Sequence, residues 1–220
     1  MSLKGQNGII FGSTGFLGKA ITNKLASSNA NIIIQGKTLK KLIELDDELK
    51  KMNKKVTLLP ANVIDKEFSK NILDIVFSKF ERIDFLINLI GEFNGLRPLT
   101  NFTHREWNKL LEINLTSSWR ILKELEPLIR KSKKAKVIFF TNSKISTGKP
   151  YHNILSISMN AKNSMLKIFK EENKKLNIQT HLINIDELNS GITQSLAGNK
   201  ILKKNTLNDI SNKVFDLCNK

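Results

Sequence analysis

Apolar residues recur along the chain in two alternating patterns. Short runs rich in Ile, Val, Leu and Phe predict buried strands, and they cover residues 8–11, 31–36, 56–60, 83–90, 137–140 and 180–185. Between them, apolar residues at three- and four-residue spacing among lysines and acids predict amphipathic helices. These helices cover residues 19–26, 39–49, 65–77, 103–129 and 154–175. Beyond residue 185 the pattern predicts two further helical segments, separated by a lysine-rich loop.

Strands that alternate with helices require crossover connections, which produce a parallel sheet. We therefore predict a Rossmann-type doubly wound α/β fold, a single domain over residues 1–220 with three α/β/α layers. Ligands of such a sheet bind beyond the carboxyl ends of its strands. The residues that end each strand are therefore the candidates for binding and chemistry.

The first strand ends in a glycine-rich turn that opens the first helix. It reads Gly12, Ser13, Thr14, Gly15, Phe16, Leu17 and Gly18. We expect Gly12 and Gly15 to adopt backbone angles that a Cβ would forbid, and Gly18 to bring the helix close to the sheet. The helix N-terminus offers free N–H groups and partial positive charge to a pyrophosphate. A structural turn without a ligand is the alternative.

The second strand ends at Gly36 and Lys37, and the next acid is Glu44. In dinucleotide sites a carboxylate at this place holds the ribose 2′-hydroxyl, whereas a cation accommodates a 2′-phosphate. The sequence therefore predicts NADP in preference to NAD. A solvated lysine without a ligand is the alternative for Lys37.

Two later strand ends extend the motif, with Asn62 and Val63 after the third strand and the stretch 88–91 after the fourth. Together with the glycine turn, they make residues 5–200 resemble the short-chain dehydrogenase/reductase family. The resemblance implies that Asn62 and Val63 contact the adenine of the cofactor. It also implies that the ribose side is lined by Asn88, Ile90 and Gly91.

The same resemblance places the catalytic Asn, Ser and Lys of the family on Asn114, Ser143 and Lys162, and Lys162 would also hold the nicotinamide ribose. The position of the catalytic tyrosine is occupied by Ser158. A serine hydroxyl is a far weaker acid than a phenol beside an ammonium, so proton transfer is expected to be impaired. Tyr151, in the preceding loop, is an alternative proton donor, unless it has only a surface or packing role.

After the sixth strand, the resemblance implies cofactor contacts from Leu188 and Ser190. The family usually adds a seventh strand, but the sequence here predicts a helix over residues 209–217. We therefore expect a six-stranded sheet. We also expect a homodimer formed through the helices predicted at 103–129 and 154–175.

The net charge of +16 raises the question of nucleic-acid binding. The lysines are scattered along the chain, and neither zinc-finger spacing nor an aromatic-rich RNA-binding signature is present, so no nucleic-acid partner is expected. No apolar run reaches the length of a membrane span, and no histidine pair has metal-ligand spacing. The single cysteine, Cys218, agrees with a reducing compartment. These features predict a cytoplasmic protein without membrane or metal.

The sequence thus predicts an NADP-dependent oxidoreductase acting on a carbonyl or alcohol of a small molecule. The alternative is a non-catalytic nucleotide-binding or scaffolding protein on the same fold.

Overall fold

A six-stranded sheet forms the centre of the computed structural model, which describes residues 2–185 and 204–220. Its strands are β1 (Asn7–Phe11), β2 (Asn31–Gly36), β3 (Thr57–Pro60), β4 (Phe85–Asn88), β5 (Ala135–Thr141) and β6 (Ile178–Asn184). Their order is β3-β2-β1-β4-β5-β6, and every neighbouring pair is parallel. The predicted doubly wound Rossmann-type fold is confirmed.

Seven helices in the described ranges surround the sheet. They are α1 (Phe16–Ser27), α2 (Leu39–Lys51), α3 (Lys66–Phe77), α4 (His104–Leu111), α5 (Ser117–Arg130), α6 (Asn153–Glu172) and α7 (Lys204–Asn219). Helices α1, α2 and α7 pack on one face, and α3, α5 and α6 pack on the other. Successive residues of β1 face opposite layers, with Ile10 toward α1 and both Ile9 and Phe11 toward α5. Because both faces are covered, the inner strands β4 and β5 are mostly apolar.

The predicted helix starts at Asp65 and Thr103 are confirmed. The Asp65 carboxylate accepts a hydrogen bond from the Glu67 N–H at 2.9 Å. Thr103 and Glu106 form a capping box, in which each side chain bonds the other residue's main-chain N–H. Hydrogen bonds from Arg97 and from Thr103 lower the pKa of Glu106 to about 2. The loop that precedes α4 is therefore tied to the helix start.

The prediction of one continuous α-helix over 103–129 is wrong in its middle. A π-helical turn over Glu112–Thr116 separates α4 from α5. Its Asn114 side chain accepts from the Glu92 N–H at 2.7 Å and donates to the Glu92 carbonyl at 2.9 Å. The wider turn thus aims one amide at the loop after β4, as π-turns often do at functional sites.

The predicted fourth strand, 83–90, was too long at both ends, since β4 covers only Phe85–Asn88. The Asn88 side chain accepts from the Ile90 N–H at 2.9 Å and turns the chain out of the sheet. Helix α7 includes the predicted segment 209–217. The other predicted C-terminal helical segment falls within residues 186–203, outside the described residues. Within the described ranges, no helix combines the length and apolar character that crossing a bilayer requires.

Candidate functional site

Two adjoining cavities form a groove beyond the carboxyl ends of the strands. The Lys162 cavity, of about 470 Å³, lies between the start of α1 and helix α6. The Lys37 cavity, of about 240 Å³, lies over the ends of β2 and β3. The residues common to both linings are Gly12, Gly15, Leu89, Ile90, Gly91 and Glu92. The glycine turn therefore lies at the middle of the groove.

The three glycines of the turn have different roles. Gly12 has a left-handed φ of +75°, as predicted, and a Cβ there would lie 3.2 Å from the Leu89 carbonyl carbon. The prediction for Gly15 is wrong, because its φ of −73° is open to any residue. A Cβ on Gly18 would lie 2.3 Å from the Gly12 carbonyl oxygen and 2.8 Å from the Ser13 main chain. The close approach of α1 is thus to the turn itself rather than to the sheet.

The first turn of α1 presents main-chain donors to the groove. Gly15 is the N-cap residue, and it has no side chain to accept from the helix. Phe16, Leu17 and Gly18 line the Lys162 cavity. The first N–H groups of a helix lack intrahelical partners and carry the positive end of its dipole. This region can therefore bind an anion.

Gln35 holds the glycine turn in place, and the sequence analysis missed it. This buried side chain accepts from the Gly12 N–H at 3.1 Å and donates to the Ala61 carbonyl at 2.6 Å. The main-chain carbonyl of Gln35 accepts hydrogen bonds from the N–H and the hydroxyl of Ser13, at 3.0 and 2.9 Å. The hydroxyl of Ser13 is therefore engaged inside the protein. The signal that the sequence offered was the polar side chain of Gln35 within the predicted strand 31–36.

The Lys37 cavity brings together residues predicted from separate strand ends. Lys37, Asn62 and Val63 all line it, with Thr14 from the glycine turn. Lys109 from α4 lines it too and lies 3.9 Å from the Glu92 carboxylate. Two ammonium groups and one carboxylate therefore face this end of the groove. No local pattern marked Lys109, because only the fold brings this residue of α4 to the cavity over the ends of β2 and β3.

Lys162 is buried at the other end of the groove. Its side-chain nitrogen donates to the Ile90 carbonyl at 3.3 Å. Burial lowers the pKa of this ammonium to about 8. Lys162 is therefore mostly protonated at neutral pH, although it releases its proton far more readily than an exposed lysine does.

Three other polar side chains among the predicted site residues line the Lys162 cavity. Asn88 accepts from the Ile90 N–H and donates to the Ser118 hydroxyl at 3.0 Å, and Asn114 bonds the main chain of Glu92. The Ser158 hydroxyl, one helical turn before Lys162, donates to the Leu155 carbonyl at 3.1 Å. Each of these side chains is engaged with the protein in this structure.

Two of the predicted catalytic residues lie outside the described lining of the Lys162 cavity. Ser143 is exposed, and its N–H donates to the Asn184 side chain at 3.2 Å. Tyr151 is 57% exposed, and neither residue belongs to the described lining of the Lys162 cavity. Leu188 and Ser190 lie outside the described residues. Among the residues that the structure describes, no cluster of His, Cys, Asp and Glu side chains could hold a metal.

A model of the family described as short chain dehydrogenase matches residues 6–201. The chain belongs to the short chain dehydrogenase family. The predicted family resemblance is thereby confirmed, and the groove lies where open α/β sheets bind their ligands. The match covers both cavities and the whole glycine turn.

Relatives of this short chain dehydrogenase include two bacterial proteins. The uncharacterized oxidoreductase YvaG of Bacillus subtilis (strain 168) is 28% identical over 142 residues, 64% of this chain and 53% of that one. Nodulation protein G of Rhizobium sp. (strain N33) is 28% identical over 149 residues, 67% of this chain and 59% of the relative. The chain thus matches between half and three-fifths of the length of these relatives.

Solved structures share the fold of this short chain dehydrogenase. A Shigella flexneri short chain dehydrogenase complexed with NADP has a TM-score of 0.90 at 17% identity, covering 98% of this chain and 92% of that one. A metagenomic short-chain oxidoreductase in complex with NADP has a TM-score of 0.84 at 19% identity, covering 100% and 93%. The backbone is therefore retained at low sequence identity.

Proposed function

We propose that this short chain dehydrogenase binds NADP along the groove and transfers hydride between its nicotinamide and a carbonyl or alcohol of a small molecule. The continuity of the two cavities across the glycine turn carries this proposal. A dinucleotide needs two separate sites joined at a pyrophosphate, and the free N–H groups of α1 lie at that junction. The position of this helix start depends on Gly18, because a Cβ there would collide with the turn.

Charge at the Lys37 end supports NADP. Lys37 would pair with the 2′-phosphate, while Asn62 and Val63 would flank the adenine. The lining there includes two lysines, and its one carboxylate, Glu92, lies beside Lys109. The two similar structures described above are also complexes with NADP. Lys162 would hold the nicotinamide ribose at the opposite end.

The reaction also needs a proton donor for the carbonyl oxygen, while the bound nicotinamide supplies the hydride. Ser158 stands at the implied tyrosine position, and its hydroxyl donates to Leu155. We propose that proton transfer is therefore slow. Asn114 contributes by fixing the loop at Glu92, which borders the space left for substrate.

Reversing the charge at Lys37 tests the cofactor assignment. Lys37→Glu is expected to weaken NADPH binding at least tenfold, because a carboxylate repels a 2′-phosphate. The preference of the protein for NADPH over NADH should therefore narrow or reverse. The two affinities are measured by fluorescence titration. Lys40→Glu is the matched control, since Lys40 is equally exposed and lines neither cavity. If neither cofactor binds the wild-type protein at millimolar concentration, the proposed function is wrong.

Restoring a phenol tests the proposed impairment. Ser158 lines the 470 Å³ cavity, so a larger side chain there has space to extend. Ser158→Tyr is expected to raise carbonyl reduction by NADPH about a hundredfold or more, the usual contribution of a positioned acid. Ser158→Phe has the same ring without the hydroxyl and is expected to give no gain. Equal rates in all three proteins would contradict a missing acid at this position.

A second candidate function is NADP binding without catalysis. This candidate is favoured by the position of Tyr151, which is exposed and absent from the described cavity lining. That position leaves the described site without a phenol. This candidate predicts tight NADPH binding with no turnover across a panel of aldehydes and ketones. Turnover by the wild-type protein above the uncatalysed rate would exclude it.

We also propose that the protein assembles as a homodimer through α5 and α6. Three large apolar side chains on these helices face solvent: Trp119 at 50%, Ile157 at 40% and Ile168 at 59%. Burying them against a second copy would remove apolar surface from water. A monomer in sedimentation equilibrium at high micromolar concentration would contradict this assembly.

A further inference from the structure

A third cavity, of about 460 Å³, lies at the opposite edge of the sheet from the groove. It is formed where β1, β4 and β5 begin and where α7 ends; we call it the amino-edge cavity. Its cationic lining residues are Arg82, Lys131, Lys133, Lys134, Lys136 and Lys220. Asp84 is the single carboxylate side chain in that lining. The concave surface is therefore strongly positive.

Asp84 does not neutralise the lysines. Its carboxylate accepts from the Asn7 N–H at 2.9 Å, the Arg82 guanidinium at 3.0 Å and the Ser132 hydroxyl at 2.7 Å. The negative charge of Asp84 is therefore balanced by Arg82, with which it forms an ion pair. Within the part of the chain that the structure describes, the four lysines between positions 131 and 136 form no ion pair with an Asp or Glu side chain.

Lys136 is the most informative of these lysines, because it is only 2% exposed. Its ammonium donates to the Gln179 side chain, which is neutral. Burial and the neighbouring Lys134 both lower the pKa of Lys136. A buried ammonium without a counter-charge is costly for the folded protein. A bound anion would offset that cost.

Acceptors within the protein hold two of these ammonium groups in position. Lys136 bonds Gln179, and Lys134 donates to the main-chain oxygen of Lys220. An ammonium has three donors, so each retains two for a ligand. Lys131 is also fixed, with its nitrogen 5.0 Å from the centre of the Phe77 ring. Contacts within the protein thus hold these three ammonium groups in position.

We propose that the amino-edge cavity is a second anion site, distinct from the cofactor groove, and that it binds a small oligophosphate. Lysines act as point charges toward phosphate, and the cationic side chains of this lining outnumber its described carboxylates, as the binding of an oligophosphate requires. The cavity nearly equals the Lys162 cavity in volume, so a nucleotide also fits. A concave site of this size favours a compact anion over an extended polymer such as duplex DNA, which is bound along a stripe of cations.

Calorimetric titration of the full chain with inorganic tripolyphosphate tests this site. We expect saturable binding of one anion per chain, weakened at least tenfold in Lys133→Gln/Lys134→Gln and in Lys136→Gln. The double variant changes exposed side chains, so it tests the site even if the buried substitution prevents folding. The control is Lys167→Gln/Lys175→Gln, which removes the same charge from exposed positions outside all three cavities.

Parallel titration with adenosine triphosphate identifies the source of the phosphate. Equal affinity supports recognition of phosphate alone, whereas tighter binding of the nucleotide supports a nucleotide site. NADPH binding is expected to be unchanged in the double variant, which separates this site from the groove. Equal loss of tripolyphosphate binding in the control variant, or no saturable binding by wild type, would overturn the proposal. Tighter binding of single-stranded RNA than of tripolyphosphate would also overturn it.

Discussion

Gly18→Ala is expected to destabilise the protein by about 1–3 kcal/mol, the usual cost of inserting a methyl group where there is no room. The added Cβ would lie 2.3 Å from the Gly12 carbonyl oxygen and 2.8 Å from main-chain atoms of Ser13. Backbone atoms cannot rotate away, so α1 must move outward from the turn. Its N–H groups would then leave the junction of the two cavities, and NADPH affinity should fall at least tenfold. Urea denaturation and fluorescence titration measure the two effects.

Gly15→Ala is the control for that stability loss. Gly15 has an ordinary φ of −73°, and a Cβ there would lie 3.4 Å from the Gly12 oxygen. We expect its free energy of unfolding to change by less than about 1 kcal/mol, as for substitutions without a specific clash. Equal destabilisation by the two substitutions would show that the close approach of α1 to the turn is not what requires Gly18.

Lys162→Met is expected to stabilise the protein near neutral pH. Burial lowers the pKa of Lys162 from 10.5 to about 8, so the folded protein carries the cost of a buried charge. At about 1.4 kcal/mol per pKa unit, the substitution can gain up to about 3 kcal/mol. The same change should weaken NADPH binding, because the variant loses the ammonium proposed to hold the nicotinamide ribose.

The gain from Lys162→Met should depend on pH. Below pH 8 the lysine is protonated in both folded and unfolded states, so its burial penalty is fully present. Between pH 8 and 10.5 the unfolded state binds more protons at Lys162 than the folded state does. The free energy of unfolding of the wild-type protein therefore increases with pH in this range. Urea denaturation should show a smaller stability difference between Lys162→Met and the wild-type protein at pH 10 than at pH 7. Lys167→Met, at an exposed position of the same helix, should show no such trend.

Most of the fold could be predicted because its determinants are local. Apolar runs marked every strand of the described sheet, and the glycine turn marked the boundary between β1 and α1. Lys37, Asn62 and Asn88 were predicted as site residues because each follows the end of a strand, and the family resemblance added Lys162. In a parallel sheet those ends meet at one edge, so sequence order alone brings them together.

The errors concern residues whose conformation depends on distant contacts. The π-helical turn at Asn114 accompanies hydrogen bonds to Glu92, 22 residues away in sequence. Gln35, on β2, bonds residues that follow the two flanking strands, β1 and β3. No local sequence pattern indicates these contacts. Ser143 follows β5, but it is exposed and its N–H donates to the Asn184 side chain at the end of β6.

The hydrogen bonds of Gln35 have a consequence for the energetics of ligand binding. A flexible phosphate-binding loop loses conformational entropy when it closes on its ligand, and this loss reduces affinity. Here one buried amide bonds both Gly12 and Ala61 within the protein itself. The ordering of the turn is completed when the protein folds. A dinucleotide would therefore meet a preorganised surface, and its association rate would not be limited by rearrangement of the glycine turn.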